Sequence, residues 1–290
     1  MKIGLLTFLC VLSLPAFAFA TEKVQFSDDP SPALNVVESV SETNAAYMVR
    51  EIGFSGADGE RLRAYLVSPQ GAGPYAAILF VHWLGPVNSN RDEFLSEAKD
   101  LAAHGAISLL VDMPWSDAKW FGNRKLSGDY EFSLRQVKNL RRALDVLLLR
   151  KEVDKRRVAL VGHDFGAMYG SLLAGTDPRV RYAVFMAATP VFSDWYLLGA
   201  KIEGREREEY KATMAPLDPT NYAARKNSLP VLFQFSKHDE YVPEARAQLF
   251  FQSASAPKEV LWYDAGHELN AQAAADREKW LKDKLKLAGH

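Results

Sequence analysis

The sequence predicts an α/β protein with a mostly parallel central sheet and helices on both faces. Two observations predict it. Short apolar runs, each the length of one buried strand, alternate with amphipathic helical stretches through most of the chain. The residue types that carry chemistry fall just after those runs, where a parallel sheet gathers its loops at one edge. A length of 290 residues suits one large domain of this kind or two small ones. The formal net charge of -1, with both signs interspersed, points away from nucleic acid and anionic membranes as partners.

The chain opens with a targeting signal. Lys2 supplies a small positive region, Ile3 to Leu14 an apolar stretch, and Ala18-Phe19-Ala20 a small-x-small cleavage site. Residues 1–20 are therefore read as a signal peptide, with Thr21 starting the mature chain. That chain is exported, periplasmic or secreted, with no integral membrane association after cleavage. The single cysteine, Cys10, lies in the leader, so the mature chain has no thiol for a disulfide, a nucleophile or a metal site. Residues 21–45 are polar, hold Pro30 and Pro32, and read as an extension on the domain surface.

The domain proper spans 46–290. Tyr47 to Phe54 and Arg61 to Val67 alternate like strands around the turn Gly56-Ala57-Asp58-Gly59, which makes a hairpin. Ala76 to His82 is a buried strand, Asp92 to Ala103 an amphipathic helix ending at His104-Gly105, and Ala106 to Val111 another buried strand. Tyr130 to Arg150 is a long amphipathic helix. A strand ending at Gly162 follows, then a helix to Thr176 and a strand over Val180 to Ala187. The rhythm breaks over Thr189 to Ser228, which is too long for a plain connection and reads as a small helical cap at about 189–228. It resumes with a strand from Pro230 to Ser236, a helix from Glu244 to Ser253, a strand from Glu259 to Tyr263 and a terminal helix from Asn270 to Leu287.

The run Val158-Ala159-Leu160-Val161-Gly162-His163-Asp164-Phe165-Gly166 organises this scheme. It has the form of a nucleophile elbow, Gly-x-Ser-x-Gly, with aspartate in the central place. Glycines flank the centre because the sharp turn leaves no room for a Cβ. The plainer reading is a glycine-rich turn with Asp164 capping the next helix. On the functional reading, Asp164 stands beside a helix N-terminus, which favours an anion, and carboxylates are known covalent nucleophiles.

Two later loops complete a constellation. Asp239 follows the strand Val231-Leu232-Phe233-Gln234-Phe235, and His267 follows Leu261-Trp262-Tyr263. Nucleophile, acid and histidine thus occur in the order Asp164, Asp239, His267, each just past a strand. Phe80-Val81-His82-Trp83-Leu84-Gly85 ends the first parallel strand, where a turn at Trp83 and Leu84 supplies a backbone N–H for an oxyanion hole. Phe165 supplies the other.

On these motifs the chain resembles the α/β-hydrolase superfamily over roughly residues 47–288. The segments His82 to Arg91 and Asp218 to Pro243, with the modest cap, resemble the dienelactone-hydrolase-like esterases, which normally carry Cys or Ser at the elbow. The elbow Gly-His-Asp-Phe-Gly resembles epoxide hydrolases and related dehalogenases, which use Asp. The resemblance implies the α/β-hydrolase fold and a triad of Asp164, Asp239 and His267. Dehalogenation fits poorly, since dehalogenases place Trp after the nucleophile and Asn in the oxyanion turn, where this chain has Phe165 and Leu84. Epoxide hydrolases protonate the opening ring with cap tyrosines, for which Tyr196, Tyr210 and Tyr222 stand as candidates.

Three functions stay open on the sequence. The favoured one is a cofactor-independent hydrolase in which Asp164 attacks an electrophilic carbon, an epoxide-like one above all, and His267, oriented by Asp239, activates water. The second is a carboxylic-ester or lactone hydrolase with Asp164 or His267 as general base. The third is a binding protein on the same scaffold. All take a small-molecule ligand. His82, Trp195 and Tyr196 are placed at the substrate pocket, although His82 equally supports the oxyanion turn and the two cap aromatics equally seal the cap. His163 reads as a packing residue, His238 as pointing elsewhere in its loop, and Asp112 as a turn former. No spacing signature supports a metal site, and no cofactor motif is present.

Overall fold

The computed structural model describes Val24, Phe26 and residues 32–224 and 229–287. The expected leader, residues 1–20, lies outside the described residues, as do most of 21–31 and the last four residues expected in the cap. Among the described residues nine strands form one sheet: β1 (Val37–Thr43), β2 (Tyr47–Ser55), β3 (Arg61–Pro69), β4 (Tyr75–Val81), β5 (Ala106–Val111), β6 (Val153–His163), β7 (Tyr182–Met186), β8 (Val231–Ser236) and β9 (Lys258–Tyr263). Their order is β1-β2-β3-β5-β4-β6-β7-β8-β9. The pairings β1–β2, β2–β3 and β3–β5 are antiparallel, and every pairing from β5 across to β9 is parallel.

The helices in chain order are α1 (Leu95–Ala103), α2 (Trp120–Asn123), α3 (Asp129–Leu148), α4 (Phe165–Thr176), α5 (Ser193–Tyr196), α6 (Gly204–Met214), α7 (Pro219–Ala223), α8 (Glu244–Ser253) and α9 (Ala271–Leu285). None is long and apolar enough to cross a membrane. The strands feed two cores, one on each face. Ala77, Leu79 and Val81 of β4 pack with Leu140 of α3, Leu172 of α4 and Phe250 of α8, while Ile78 and Phe80 pack with Leu101 of α1 and Leu281 of α9. Successive side chains of a strand point to opposite faces, so a run that is apolar at every position is buried on both. Each fully buried Leu, Ile or Phe contributes roughly 1.5–3 kcal/mol. Helix α4 is apolar all round, and its first ten residues are buried, as its place under the cap requires.

The site is placed by topology. The chain leaves β4 for β5 on one side and returns on the other side to β6, so the ends of β4 and β6 flank a switch point, where α/β sheets bind ligands. The oxyanion turn and the elbow therefore emerge side by side. The cap between β7 and β8 contributes α5, α6, a 3₁₀ turn at Ala215–Leu217 and α7.

Two segments depart from expectation. The extension contains β1, which pairs with β2; its sequence shows no apolar period because all seven residues are exposed, leaving no buried face to mark. Residues between β5 and α3 hold two 3₁₀ turns, Pro114–Ser116 and Leu126–Gly128, and the short α2, all too brief to leave a periodic signature.

Asp164 adopts φ 54° and ψ −120°, a conformation that costs a non-glycine residue about 1–3 kcal/mol and persists only where its surroundings hold it. The holding contacts are backbone ones. A Cβ on Gly166 would lie 2.1 Å from the Val81 carbonyl oxygen, and one on Gly162 would lie 2.4 Å from that of Gly166. Helix α4 thus starts against the end of β4 with no space for a side chain. Gly166→Ala is expected to lower stability by about 3 kcal/mol, read as a shift in the urea midpoint. Gly122→Ala, whose added Cβ meets nothing within 4 Å, should leave the midpoint unchanged.

Candidate active site

Asp164 occupies the N-cap position of α4, yet its side chain caps nothing. Its Oδ2 instead accepts the Leu84 N–H at 3.0 Å from the oxyanion turn. The helix-capping alternative is thereby set aside: the carboxylate turns across the gap between β6 and β4. Among the described residues Oδ1 of Asp164 and the N–H of Phe165 have no hydrogen-bond partner in the protein. The expected second N–H of the oxyanion turn is not free. Trp83 donates it to Glu93 Oε2 at 2.7 Å, so Leu84 alone presents an N–H from that turn to Asp164.

His267 lies between two carboxylates. Its Nδ1 is 2.9 Å from both oxygens of Asp239, and its Nε2 is 3.7 Å from Asp164 Oδ2, an ion-pair distance rather than a hydrogen bond. Asp239 is fixed in turn, since its Oδ1 accepts the N–H groups of Tyr241 and Val242, each at 2.9 Å. Burial of His267 opposes its charge, but the adjoining carboxylates of Asp164 and Asp239 outweigh burial and push its pKa up to about 10. The position between two acidic side chains thus favours the protonated form of the imidazole.

A pair behind the site, half-buried Glu93 and buried His163, joins three of its loops. Glu93 takes the Trp83 N–H with Oε2 and meets His163 Nδ1 with Oε1 at 2.6 Å. His163 Nε2 donates to the carbonyl oxygen of His267 at 3.1 Å. The Trp83 indole stacks on the His163 ring at 5.0 Å with the planes 6° apart. His163 is buried, as expected, but it fastens elbow to histidine loop rather than merely filling space. Glu93 escaped the sequence reading because the acids Asp92 and Glu93 at a helix start look like ordinary first-turn charge; nothing local marks which of them turns inward.

A cavity of about 690 Å³ opens over Asp164 and His267. Trp195 and Leu198 of the cap form one wall, Phe121 of α2 another, and Tyr241 lies beside His267 at the mouth. Two residues placed at the pocket on sequence do not reach it. His82 is 1% exposed; its Nδ1 donates to the Trp83 carbonyl and its Nε2 accepts the Met113 N–H, so it ties the β4 loop to the β5 loop as a neutral ring, with burial lowering its pKa. Tyr196 is 0% exposed and shares a hydrogen bond with Tyr169. Nor do the other cap tyrosines present a phenol to the cavity: Tyr210 donates to Asp129 and Tyr222 to the Pro216 carbonyl. Tyr241, two residues beyond Asp239, brings the cavity its phenol. Its proximity to a triad acid was the available signal. His238 points outward to Asp264 at 2.7 Å, and Asp112 pairs with Arg63 and Arg91. Among the described residues no three His, Cys, Asp or Glu side chains group to hold a metal ion.

The comparisons agree with this architecture. The chain is similar to esterase FrsA of Klebsiella pneumoniae, 24% identical over 233 residues that cover 72% of this chain and 53% of that one. It thus spans about half the length of the curated relatives it matches. Among solved structures it resembles an acetyl xylan esterase from Paenibacillus sp. R4, with TM-score 0.71 and 19% identity over 87% of this chain and 89% of that one. It also resembles the esterase domain of a Rhodothermus marinus protein, with TM-score 0.60 and 22% identity over 83% of this chain and 100% of the other. At these identities the likenesses establish the fold. The dienelactone hydrolase family matches residues 62–285, which takes in the oxyanion turn, the elbow and both later loops. The chain belongs to the dienelactone hydrolase family and has the α/β-hydrolase fold.

Proposed function

We propose that this hydrolase cleaves carboxylic esters or lactones of small molecules, with Asp164 as the base that activates water and His267 as the acid. The observation that carries the reading is the His267 ring placed between the carboxyl groups of Asp164 and Asp239, which favour its protonated form. A protonated imidazole cannot accept a proton, so of the two candidate bases only the Asp164 carboxylate is available at neutral pH. Family membership and the lack of a cap phenol in the cavity favour esters over epoxides. A carboxylate attacking an ester would also have to form a high-energy anhydride, whereas a carboxylate acting on water avoids it. The tyrosine-assisted ring opening expected of the epoxide reading has no Tyr196, Tyr210 or Tyr222 placed to perform it.

The steps balance. Asp164 takes a proton from water as the oxygen adds to the carbonyl carbon. The oxyanion forms beside the open N–H of Phe165, while Leu84 holds Asp164 in place. The intermediate collapses as His267 Nε2 gives its proton to the leaving alkoxide. The proton on Asp164 then passes to His267, restoring both. As a second reading, Asp164 attacks an sp³ carbon and becomes esterified. What favours it is the Leu84 N–H on Oδ2, which leaves Oδ1 unpartnered for attack and holds the oxygen that becomes the oxyanion when water adds to the side-chain carbonyl. In either reading the substrate is met after export, the address that Lys2, the apolar stretch and Ala18-Phe19-Ala20 suggest.

Single turnover in heavy-oxygen water separates the two. General-base hydrolysis puts the label in the product acid and leaves Asp164 unlabelled by mass spectrometry of its peptide; a labelled Asp164 overturns that route in favour of covalent attack. Asp164→Asn is expected to lower kcat about 10²–10⁴-fold on a short alkyl ester. His267→Gln should lose most activity on alkyl esters, whose alkoxides need a proton, and much less on p-nitrophenyl esters, whose leaving group departs as an anion; equal losses on both would remove the acid role. The sign of the pH dependence follows from a raised pKa. The proton that His267 donates is present below about pH 10 and is lost above it. Turnover of alkyl esters should therefore show no rise near the ordinary histidine pKa and should fall as pH passes through about 10. A sigmoidal gain between pH 6 and 8 would contradict this assignment.

A further inference from the structure

The cavity has a sign as well as a shape. Asp164, Glu240 and Glu268 line it, Asp239 stands directly behind His267, and among the described lining residues none is Lys or Arg. His267 carries the one positive side chain in that lining, and it is already held by two carboxylates. The lining thus keeps a negative excess in a partly enclosed space, where low-dielectric walls focus the field.

The rest of the lining mixes aromatic rings with the aliphatic Pro86, Val87, Ala118 and Leu198. Trp195 meets Phe165 edge-on at 5.2 Å, Tyr241 meets the His267 ring at 5.1 Å, and Phe121 closes the far side. Two of these rings are tied together before any ligand arrives, since the Trp195 indole N–H donates to the Tyr241 carbonyl at 3.2 Å. Glu240 adjoins Tyr241 at the mouth, and the Glu240 carboxylate beside the phenol raises its pKa. Aromatic faces with carboxylates at their rim attract a large, weakly hydrated cation, through the ring quadrupole and through charge. An anionic group would meet the same carboxylates unscreened.

We propose that this cavity selects esters bearing an alkylammonium group and disfavours those bearing a carboxylate. The cation sits against Trp195 and Tyr241 near Glu240 and Glu268, with the ester carbonyl at Asp164. The identity of the reacting group rests on the ester-hydrolase reading above; the charge preference does not.

Calorimetric titration of the whole protein at low salt with three probes of nearly equal shape tests it: choline, 3,3-dimethylbutan-1-ol and 3,3-dimethylbutanoate. Choline should bind with a Kd about tenfold below that of the neutral alcohol, and the carboxylate should bind most weakly. The advantage of choline should shrink several-fold in Glu240→Gln/Glu268→Gln, whose changes lie on exposed side chains, and further in Trp195→Leu. Equal binding of choline and the alcohol overturns the proposal, as does no measurable binding of choline. So does an advantage that persists unchanged in all these variants, because the cation would then sit elsewhere. Turnover of acetylcholine against 3,3-dimethylbutyl acetate separates the two readings. Choline binding without hydrolysis of any ester removes the hydrolytic reading and leaves the charge preference. Ester hydrolysis with no preference for the cation does the reverse.

Discussion

The contact between half-buried Glu93 and buried His163 is the interaction on which the site depends. One carboxylate holds the oxyanion turn through the Trp83 N–H and the elbow through His163, and His163 in turn holds the carbonyl of His267. Three loops from three different strands are thereby set against one another by a short chain of hydrogen bonds. Removing Glu93 leaves the buried His163 Nδ1 and the Trp83 N–H without their partner, at a cost of about 1–3 kcal/mol for each unsatisfied group. The contact also explains why the oxyanion turn offers Leu84 to Asp164 rather than Trp83. The geometry at the front of the site is the outcome of a bond made at the back.

Much of this was legible in the sequence, and the reason is steric. Gly162 and Gly166 are demanded by backbone contacts of 2.4 and 2.1 Å, so the elbow announces itself through residues that nothing else could replace. Asp239 follows the fully buried strand β8 and His267 the alternating strand β9, and parallel topology alone brings the ends of β6, β8 and β9 to one edge. What the sequence hid has no local pattern. Glu93 looks like a first-turn acid until its burial is known. Phe121 sits in a four-residue helix, too short for periodicity, yet it walls the cavity. Tyr196 looked like a pocket residue because large aromatics in a cap suit either a cavity or a seam; the hydrogen bond to Tyr169 decides for the seam. His82 misled for the opposite reason. It stands where a catalytic turn belongs, but both its nitrogens are spent, Nδ1 on the Trp83 carbonyl of its own loop and Nε2 on Met113 after β5.

Charge gives the site its character. An elbow with a neutral nucleophile leaves its histidine beside one carboxylate and free to accept a proton. Here the elbow itself is a carboxylate, so the same histidine has two anionic neighbours and holds its proton. On the mechanism proposed above, the roles of base and acid are exchanged between Asp164 and His267 without any change in fold. The exchange is why a body of the dienelactone hydrolase family and an aspartate elbow need not be read as a contradiction: the scaffold fixes positions, and the local electrostatics assign the proton.

The central residue of the elbow also determines what the protein looks like to chemistry other than its own. Reagents that mark hydrolases by phosphonylating an activated hydroxyl, or by alkylating a thiolate, need an oxygen or sulfur nucleophile of high basicity at that point. Asp164 offers a delocalised carboxylate already neutralised in part by an imidazolium and a backbone N–H. A survey of hydrolases by covalent fluorophosphonate or iodoacetamide capture would pass this one over while it remained fully folded, and its absence from such an inventory would carry no information about its activity.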